Sequence, residues 1–369
     1  MKKIRLLVTC RDPASASVVS VLIPQLVEIP DFDVFVLAQA PASQMLAPHI
    51  PMTEFSKETA LDDQQKAMAA FCDDFKPDAI LTGISGPDTG VDEAALIWAE
   101  LHGVPSYALQ NYWGDINQAI IALPKVAFVL DQQASKLTHK RYPGIRCIPT
   151  GSIKHAEFEG YDSLADRHAL RPGLVMSDQT LVGFYGQPLE DQVGYIHTLE
   201  AMADELKVWD KNFRVMYRPH PKESVYLIDL TFDLLQQAIG DRVFFDPGFA
   251  LKQSLSVCDL VVSAFSTCGF DGLYLNAMAP KVFNASVYLW FDPDLVNWWE
   301  EYNQTQENPL LEAGLVLGAH QKAEILDVFE RGLDETVQSD IRHHAQRCLP
   351  KPEKGVKTIL ETLVTDLRG

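Results

Sequence analysis

Short apolar runs alternate along almost the whole chain with segments long enough for helices, and this alternation constrains the fold more than any other feature. Residues 3–10, 33–38, 79–82, 106–110 and 126–130 read as strands, with helices at 18–28, 57–75 and 93–102 among them. A second series follows, with strands at 180–185, 213–217, 242–245, 259–262 and 281–283 and helices at 192–208, 224–238 and 270–278. Such repetition implies right-handed βαβ units and parallel sheets. At 369 residues the chain exceeds the size at which a single core stops growing, so two domains are the default. The expected class is α/β, with two Rossmann-like doubly wound parallel-sheet domains facing across a cleft. Near 149–175 the alternation lapses, with Gly151, Gly160, Pro172 and Gly173, and this stretch reads as the connection. The domains then fall at 1–155 and 175–348. Helices at 322–333, 335–348 and 354–366 close the chain, and the segment 353–369 is free to pack back on the first domain.

The formal net charge of −19 repels nucleic-acid backbones and anionic lipid headgroups, which argues against both as partners. An anionic small ligand would need local cations. The hydrophobic fraction of 47% is ordinary for a globular protein, and no run is long enough to span a bilayer. The first residues lead straight into a strand with no signal-peptide pattern, so a cytoplasmic enzyme without an integral membrane segment is expected. The six cysteines show no Cys-x-x-Cys spacing, and neither a disulfide framework nor a metal site is indicated. His343-His344 lies on an expected solvated helix and reads as structural. Homo-oligomerisation stays open.

Two segments of the second half carry chemistry. Arg218-Pro219-His220-Pro221-Lys222 follows a strand and precedes a helix, which puts an imidazole and two cations where an α/β sheet binds ligands and where a helix N-terminus favours an anion. The prolines restrict the backbone on both sides of His220. Ser263-Ala264-Phe265-Ser266-Thr267-Cys268-Gly269-Phe270-Asp271-Gly272 follows another strand. Ser263, Ser266 and Thr267 offer hydroxyl and backbone donors to a phosphate, Gly269 allows close backbone approach, and Asp271 is placed for ribose hydroxyls. One helix cap would need only one of these hydroxyls.

In the first half, Thr9-Cys10-Arg11-Asp12-Pro13-Ala14-Ser15 lacks the Gly-x-Gly-x-x-Gly signature, which argues against a dinucleotide cofactor. Gln110-Asn111-Tyr112-Trp113-Gly114-Asp115 combines aromatic and amide groups suited to sugar recognition, with Gln110, Asn111, Trp113 and Asp115 as acceptor-binding candidates. The aromatic run at 289–302, with Trp290, Phe291, Trp298, Trp299 and Tyr302, either lines an acceptor groove or covers the second sheet.

Several motifs together resemble the type-B glycosyltransferases and the related nucleotide-sugar 2-epimerases. They are Pro77-Asp78-Ala79-Ile80-Leu81-Thr82-Gly83, His102-Gly103-Val104-Pro105-Ser106, Phe128-Val129-Leu130-Asp131, Pro149-Thr150-Gly151-Ser152 and Gly186-Gln187-Pro188, with the two segments above. The His-Pro and Ser/Thr elements are similar to those of bacterial sialyl-, polysialyl- and Kdo transferases, and CDP-glycerol glycerophosphotransferases share a comparable His-Pro segment. The resemblance implies transfer of a sugar from a nucleotide donor, a CMP-ulosonic acid favoured, to a glycan or glycoconjugate hydroxyl, with no metal or cofactor. It implies a donor-phosphate site made by Gly186, Gln187, Arg218, His220 as imidazolium, Pro221, Lys222, Ser266 and Thr267, with Asp271 near the ribose. An inverting transfer also needs a carboxylate base. Asp12, Asp88, Asp92, Glu93 and Asp115 are the candidates, and Asp88 and Asp92, in a glycine-flanked turn, are favoured. Asp in a Pro/Gly turn and Asp92 at a helix start equally suit turn and cap roles. The acidic pair-plus-glycine element that supplies the base in the sialyltransferases is missing, and so is a Glu-x7-Glu pair. A UDP-GlcNAc 2-epimerase-like enzyme and a catalytically silent nucleotide-sugar-binding protein are the alternatives on the same fold.

Overall fold

The computed structural model describes residues 3–55, 60–86 and 88–368. The chain divides into one unit made of Met1–Glu157 with Pro350–Gly369 and a second made of Phe158–Leu349. Each is built on its own sheet, and every strand pair in both sheets is parallel.

The first unit carries strands β1 (Ile4–Cys10), β2 (Phe32–Ala38), β3 (Thr53–Glu54), β4 (Ala79–Gly83), β5 (Ser106–Leu109), β6 (Val126–Val129) and β7 (Arg146–Pro149). Their order across the sheet is β3-β2-β1-β4-β5-β6-β7. Between them run helices α1 (Pro13–Val27), α2 (Ala42–Leu46), α3 (Leu61–Phe75), α4 (Val91–His102) and α5 (Gln132–Arg141). Successive residues of a strand point to opposite faces, so a strand covered on both sides must be apolar at every position. In β1, Leu6 and Val8 join one core with Val19 and Leu22 of α1, while Leu7 joins another with Met68 of α3 and Ala95 of α4. The second unit carries α6 (Ser163–Leu170), β8 (Thr180–Tyr185), α7 (Val193–Val208), β9 (Phe213–Arg218), α8 (Val225–Ile239), β10 (Val243–Phe245), α9 (Leu251–Val257), β11 (Leu260–Ser263), α10 (Cys268–Met278), β12 (Ala285–Leu289), α11 (Pro293–Asn303), α12 (Pro309–Glu312), β13 (Leu317–Ala319), α13 (Ile325–Leu333) and α14 (Glu335–Cys348). Its strand order is β10-β9-β8-β11-β12-β13. The last helix, α15 (Pro352–Arg368), belongs to the first unit. Its Val356, Ile359 and Leu363 form one helical stripe buried in the same core as Leu6 and Val8. Burying each contributes about 1.5–3 kcal/mol.

In both sheets the order reverses once, between β1 and β4 and between β8 and β11. At such a switch point the loops leaving the strands' carboxyl ends diverge and leave room for a ligand.

Four local readings of the sequence change. Helix α1 starts at Pro13, not at residue 18, because proline is well suited to the first helical position and the Ser17 hydroxyl donates back to the Pro13 carbonyl at 2.9 Å. The strand expected at 281–283 begins instead at Ala285. The Phe283 N–H is taken by the Asn276 side chain at 3.2 Å, whose amide nitrogen donates to the Asn284 carbonyl at 2.9 Å, so the ladder with β11 starts beyond them. The stretch at 149–175 contains the boundary between the units, after Glu157, but it also holds α6, tied to the end of α9 by Arg167 and Arg171. Residues 57–59 of the expected helix at 57–75 lie outside the described residues, and α3 covers Leu61–Phe75.

Candidate functional site

At the switch point of the first unit, β1 and β4 release the segments that contain Arg11-Asp12 and Ser85–Gly90, and α4 begins immediately afterwards. Asp92, in the first turn of α4, is 1% exposed and accepts hydrogen bonds from the Thr9 hydroxyl at 2.6 Å and the Ser85 hydroxyl at 2.8 Å. Glu93 is equally buried; it accepts from the Gly90 N–H at 2.7 Å and from the Asn117 amide at 2.7 Å, and Arg11 lies 3.7 Å away. Burial raises the Asp92 carboxyl to about 7, with the neighbouring Glu93 charge adding to the rise and the two hydroxyls opposing it. Burial raises Glu93 as well, against the pull of Arg11. Asp115, after β5, is pushed up to about 6 by burial, with Asp12 and Glu93 adding and Arg141 opposing.

The two favoured base candidates therefore differ. Asp88 has an exposed side chain, while its carbonyl accepts from Arg11 at 2.6 Å and from Asn117 at 2.8 Å. Asp92 is enclosed and bonded. Pro87, within the same turn, lies outside the described residues. Asp12 is half-buried and its carboxylate accepts from the Gly86 N–H at 3.2 Å. The acceptor-binding candidates divide in a similar way. The Trp113 ring is 3% exposed and its indole N–H donates to Asp131 at 2.8 Å, which fastens the loop to the cap of α5 instead of offering a sugar platform. Gln110 is buried too, donating to Thr138 at 2.9 Å and to the Asp115 carbonyl at 3.1 Å. Asn111 is half-buried and donates to the Ile84 carbonyl at 3.4 Å.

In the second unit, the loop after β9 and the turn after β11 stand at the carboxyl edge of the sheet, with the end of β8 between them. His220 is half-buried, and its Nδ1 accepts the Lys222 N–H at 3.0 Å. Burial, helped by the Lys222 charge, lowers its pKa below the usual 6.5. The lowered value favours a neutral ring over the expected imidazolium, and with Nδ1 accepting from the backbone its proton sits on Nε2. Arg218, expected on a phosphate, donates to Asp246 at 2.8 Å and to the Phe249 carbonyl at 2.8 Å, which ties β9 to the loop after β10. Pro221 and Lys222 are exposed.

Glu223 was not singled out by the sequence, although it stands three residues after His220. It is 9% exposed and accepts from the His220 N–H and, at 3.2 Å, from the Tyr217 hydroxyl. Burial raises it to about 7, opposed by these hydrogen bonds. Gly186 is needed beneath it, since a Cβ there would lie 2.4 Å from the Glu223 carboxylate. Gln187, just after β8, joins α7 to the turn after β11: its N–H donates to the Tyr195 hydroxyl at 3.0 Å, and its side-chain oxygen accepts the Phe265 N–H at 2.9 Å. The turn after β11 is held from within, the Ser263 hydroxyl accepting the Ser266 N–H at 2.9 Å and the Ser266 hydroxyl accepting the Cys268 N–H at 3.2 Å. Each hydroxyl keeps a proton to donate. Thr267 is exposed, Asp271 is 4% exposed in the first turn of α10, and the space beside Gly269 is filled by the Tyr288 ring.

The aromatic run at 289–302 mostly packs: Trp290 and Trp299 are buried with ring centres 4.9 Å apart, and Trp298 stacks on the exposed Tyr302 at 5.6 Å. Among the described residues, His197, Asp292 and Asp294 place ligand-capable atoms within 4.8 Å of one another. Asp292 is already occupied there, capping α11 and lying 3.4 Å from His197. No helix among the described residues is long and apolar enough to cross a membrane.

No family profile matches the chain, and no curated protein sequence matches it either. Solved structures do. The UDP-GlcNAc 2-epimerase of Neisseria meningitidis bound to UDP-GlcNAc is 14% identical with a TM-score of 0.69, covering 98% of this chain and 100% of that one. The UDP-GlcNAc 2-epimerase of Methanocaldococcus jannaschii in complex with UDP-GlcNAc and UDP is 11% identical with a TM-score of 0.70, at 98% and 100% coverage. MurG of Acinetobacter baumannii is 14% identical with a TM-score of 0.59, at 97% and 99% coverage. The chain has the fold these proteins share, the type-B glycosyltransferase fold of two parallel-sheet α/β domains.

Proposed function

We propose that this protein is an enzyme acting on a nucleoside-diphosphate sugar, with epimerisation at C2 of the sugar as its reaction. The observation that carries this reading is the group of carboxylates with raised pKa at the mouth of the first unit, Asp92, Glu93 and Asp115. Proton transfer at a C–H needs a base that is strong near neutral pH, and raised carboxylates meet that need. The C2 hydrogen of a hexose is not acidic by itself, so its removal has to accompany departure of the phosphate from C1, leaving a C1=C2 double bond; the epimer forms when a proton is returned to the opposite face of C2 and the phosphate adds back at C1. A neutral His220 Nε2–H with the Ser266 and Thr267 hydroxyls would stabilise that phosphate as its charge grows. Asp115 and the exposed Asp88 are the carboxylates assigned to the proton, with Asp92 and Glu93 shaping the mouth from beneath. The acid–base steps use side chains alone.

Several of the structural neighbours are UDP-GlcNAc 2-epimerases, which favours a UDP-linked amino sugar. The CMP-ulosonic donor expected from the His-Pro likeness has no support among them. Transfer to an acceptor hydroxyl is the second reading, favoured by the likeness to the glycosyltransferase MurG. Incubation with UDP-GlcNAc in deuterated water, followed by NMR, tests the proposal. Deuterium at C2 together with signals of the C2 epimer is the expected result. UDP release only when an acceptor is added would establish the transferase, and UDP binding with neither reaction would establish a silent binding protein.

A further inference from the structure

A cavity of about 610 Å³ opens in the second unit at the end of the sheet opposite to His220 and Ser266. It is lined by residues that precede the strands: Val175, Met176 and Ser177 before β8, and Lys281, Val282 and Phe283 before β12, with α6 closing one side. Its volume lies within the range of small-molecule sites. The wall is mainly apolar, made by Leu164, Val175, Val282 and Phe283. The charged lining has one sign. Arg167, Arg171 and Lys281 line the cavity beside His168 and no carboxylate does, in a chain whose net charge is −19.

The two arginines are fixed in place. Arg167 donates to the carbonyls of Ser256 and Cys258 at 3.0 and 2.7 Å, and Arg171 to that of Val257 at 2.6 Å. Both also reach Asp259, the one acidic group they share. These bonds close the carboxyl end of α9, and helix capping accounts for the arginines by itself. It does not account for Lys281 or His168. Both are exposed and, among the described residues, neither makes a hydrogen bond or ion pair. Nor does it account for Met176, which is 70% exposed at the rim of an apolar wall. A flexible thioether at such a place suits a ligand of adaptable shape.

We propose that this cavity is a second ligand site, which takes a small amphipathic anion: an apolar body bearing a carboxylate or phosphate head. The apolar body would lie on Val175, Val282 and Phe283, and the head would meet Lys281 and His168 within the field of the fixed arginine pair. The uneven lining supports this polarity, because three permanent cations line the cavity and two of them, Arg167 and Arg171, share the single carboxylate of Asp259. Head-group attraction of this kind is screened by salt, whereas burial of the apolar body is not.

Calorimetric titration of the full chain with hexyl phosphate, hexanoate and hexanol, at low and high salt, tests the site. At least one of the two anions binds, the alcohol binds much more weakly, and salt reduces the difference. Whichever anion is preferred identifies the head group. Lys281→Glu weakens anion binding about tenfold or more, the equivalent of losing one well-placed charge contact. Its melting temperature stays unchanged because Lys281 is exposed and makes no hydrogen bond or ion pair among the described residues. Met176→Asp, at the rim, weakens binding in the same direction without touching the capping arginines. Excess UDP does not displace the anion. The proposal is overturned if neither anion binds, if hexanol binds equally well, if both variants bind as the parent does, or if UDP competes. None of these outcomes depends on the reaction proposed above.

Discussion

The two switch points share one topology and opposite chemistry. In the first unit the strand mouth collects acidic groups out of water: Asp92 and Glu93 are 1% exposed, and their partners are hydroxyls, amides and a single arginine. In the second unit the mouth presents a neutral imidazole and a turn of hydroxyls, with the buried Glu223 carboxylate turned inward to accept the backbone of the His220 loop. Burial acts on both. It raises the carboxylates and lowers the imidazole, so the carboxyls of the first mouth titrate closer to neutrality and the His220 ring of the second is neutral there. Proton transfer suits the one and hydrogen-bond donation to a phosphate suits the other.

That division is most exposed to test at Asp115. Asp115→Asn lowers kcat by roughly 10²–10⁴, the usual contribution of a positioned general base, while UDP affinity stays within about twofold. In the parent, activity rises with pH through about 6 as the carboxylate ionises, and the variant loses that limb. Equal losses in kcat and UDP affinity would show that the mouths do not divide the work. Gly186→Ala tests the other side. The added methyl meets the Glu223 carboxylate, and relieving the clash costs about 1–3 kcal/mol in urea unfolding, as overpacking does. An unchanged midpoint would show that Glu223 can move aside, and then it does not fix the loop.

The sheet cores were legible because each of their strands is covered on both faces and is therefore apolar throughout, as in Leu6-Leu7-Val8 and Leu260-Val261-Val262. The edge strands β3, β7 and β13 were not. Two to four residues carry no period, and each of these strands is held on one side only, by the strand just before it in the chain. The site divides along the same line. His220, Ser266 and Asp115 could be singled out as candidates because they follow strands. The role of Trp113 could not, since its partner Asp131 is fixed by the fold across 18 residues. Glu223 and Gly186 were equally hidden as a pair: the contact that explains both spans β8 and the loop after β9. Arg218 looked available in the sequence because nothing nearby announces Asp246, 28 residues further on.

His220→Ala weakens UDP binding about tenfold in calorimetry, the worth of one hydrogen bond to a charged group, with kcat falling in proportion if the same bond serves the departing phosphate. A loss no greater than twofold would remove His220 from the phosphate site.

The smallest expected effect is the most diagnostic for the contrast between the mouths. Because the folded pKa of His220 is lowered, the ring is neutral above pH 6.5, and UDP affinity is level there. As pH falls below that value the ring gains a proton, and in the complex a phosphate favours the charged form, so affinity rises by less than tenfold. Folding stability changes the other way. The unfolded chain takes up this proton more readily than the folded one, so the His220 contribution is present above pH 6.5 and diminishes as pH falls. His220→Gln, which keeps a donor but cannot titrate, flattens both trends while leaving binding at pH 8 nearly intact. A Gln variant that binds at pH 8 as poorly as His220→Ala would mean that the imidazole acts through its charge, and the second mouth would then be cationic after all.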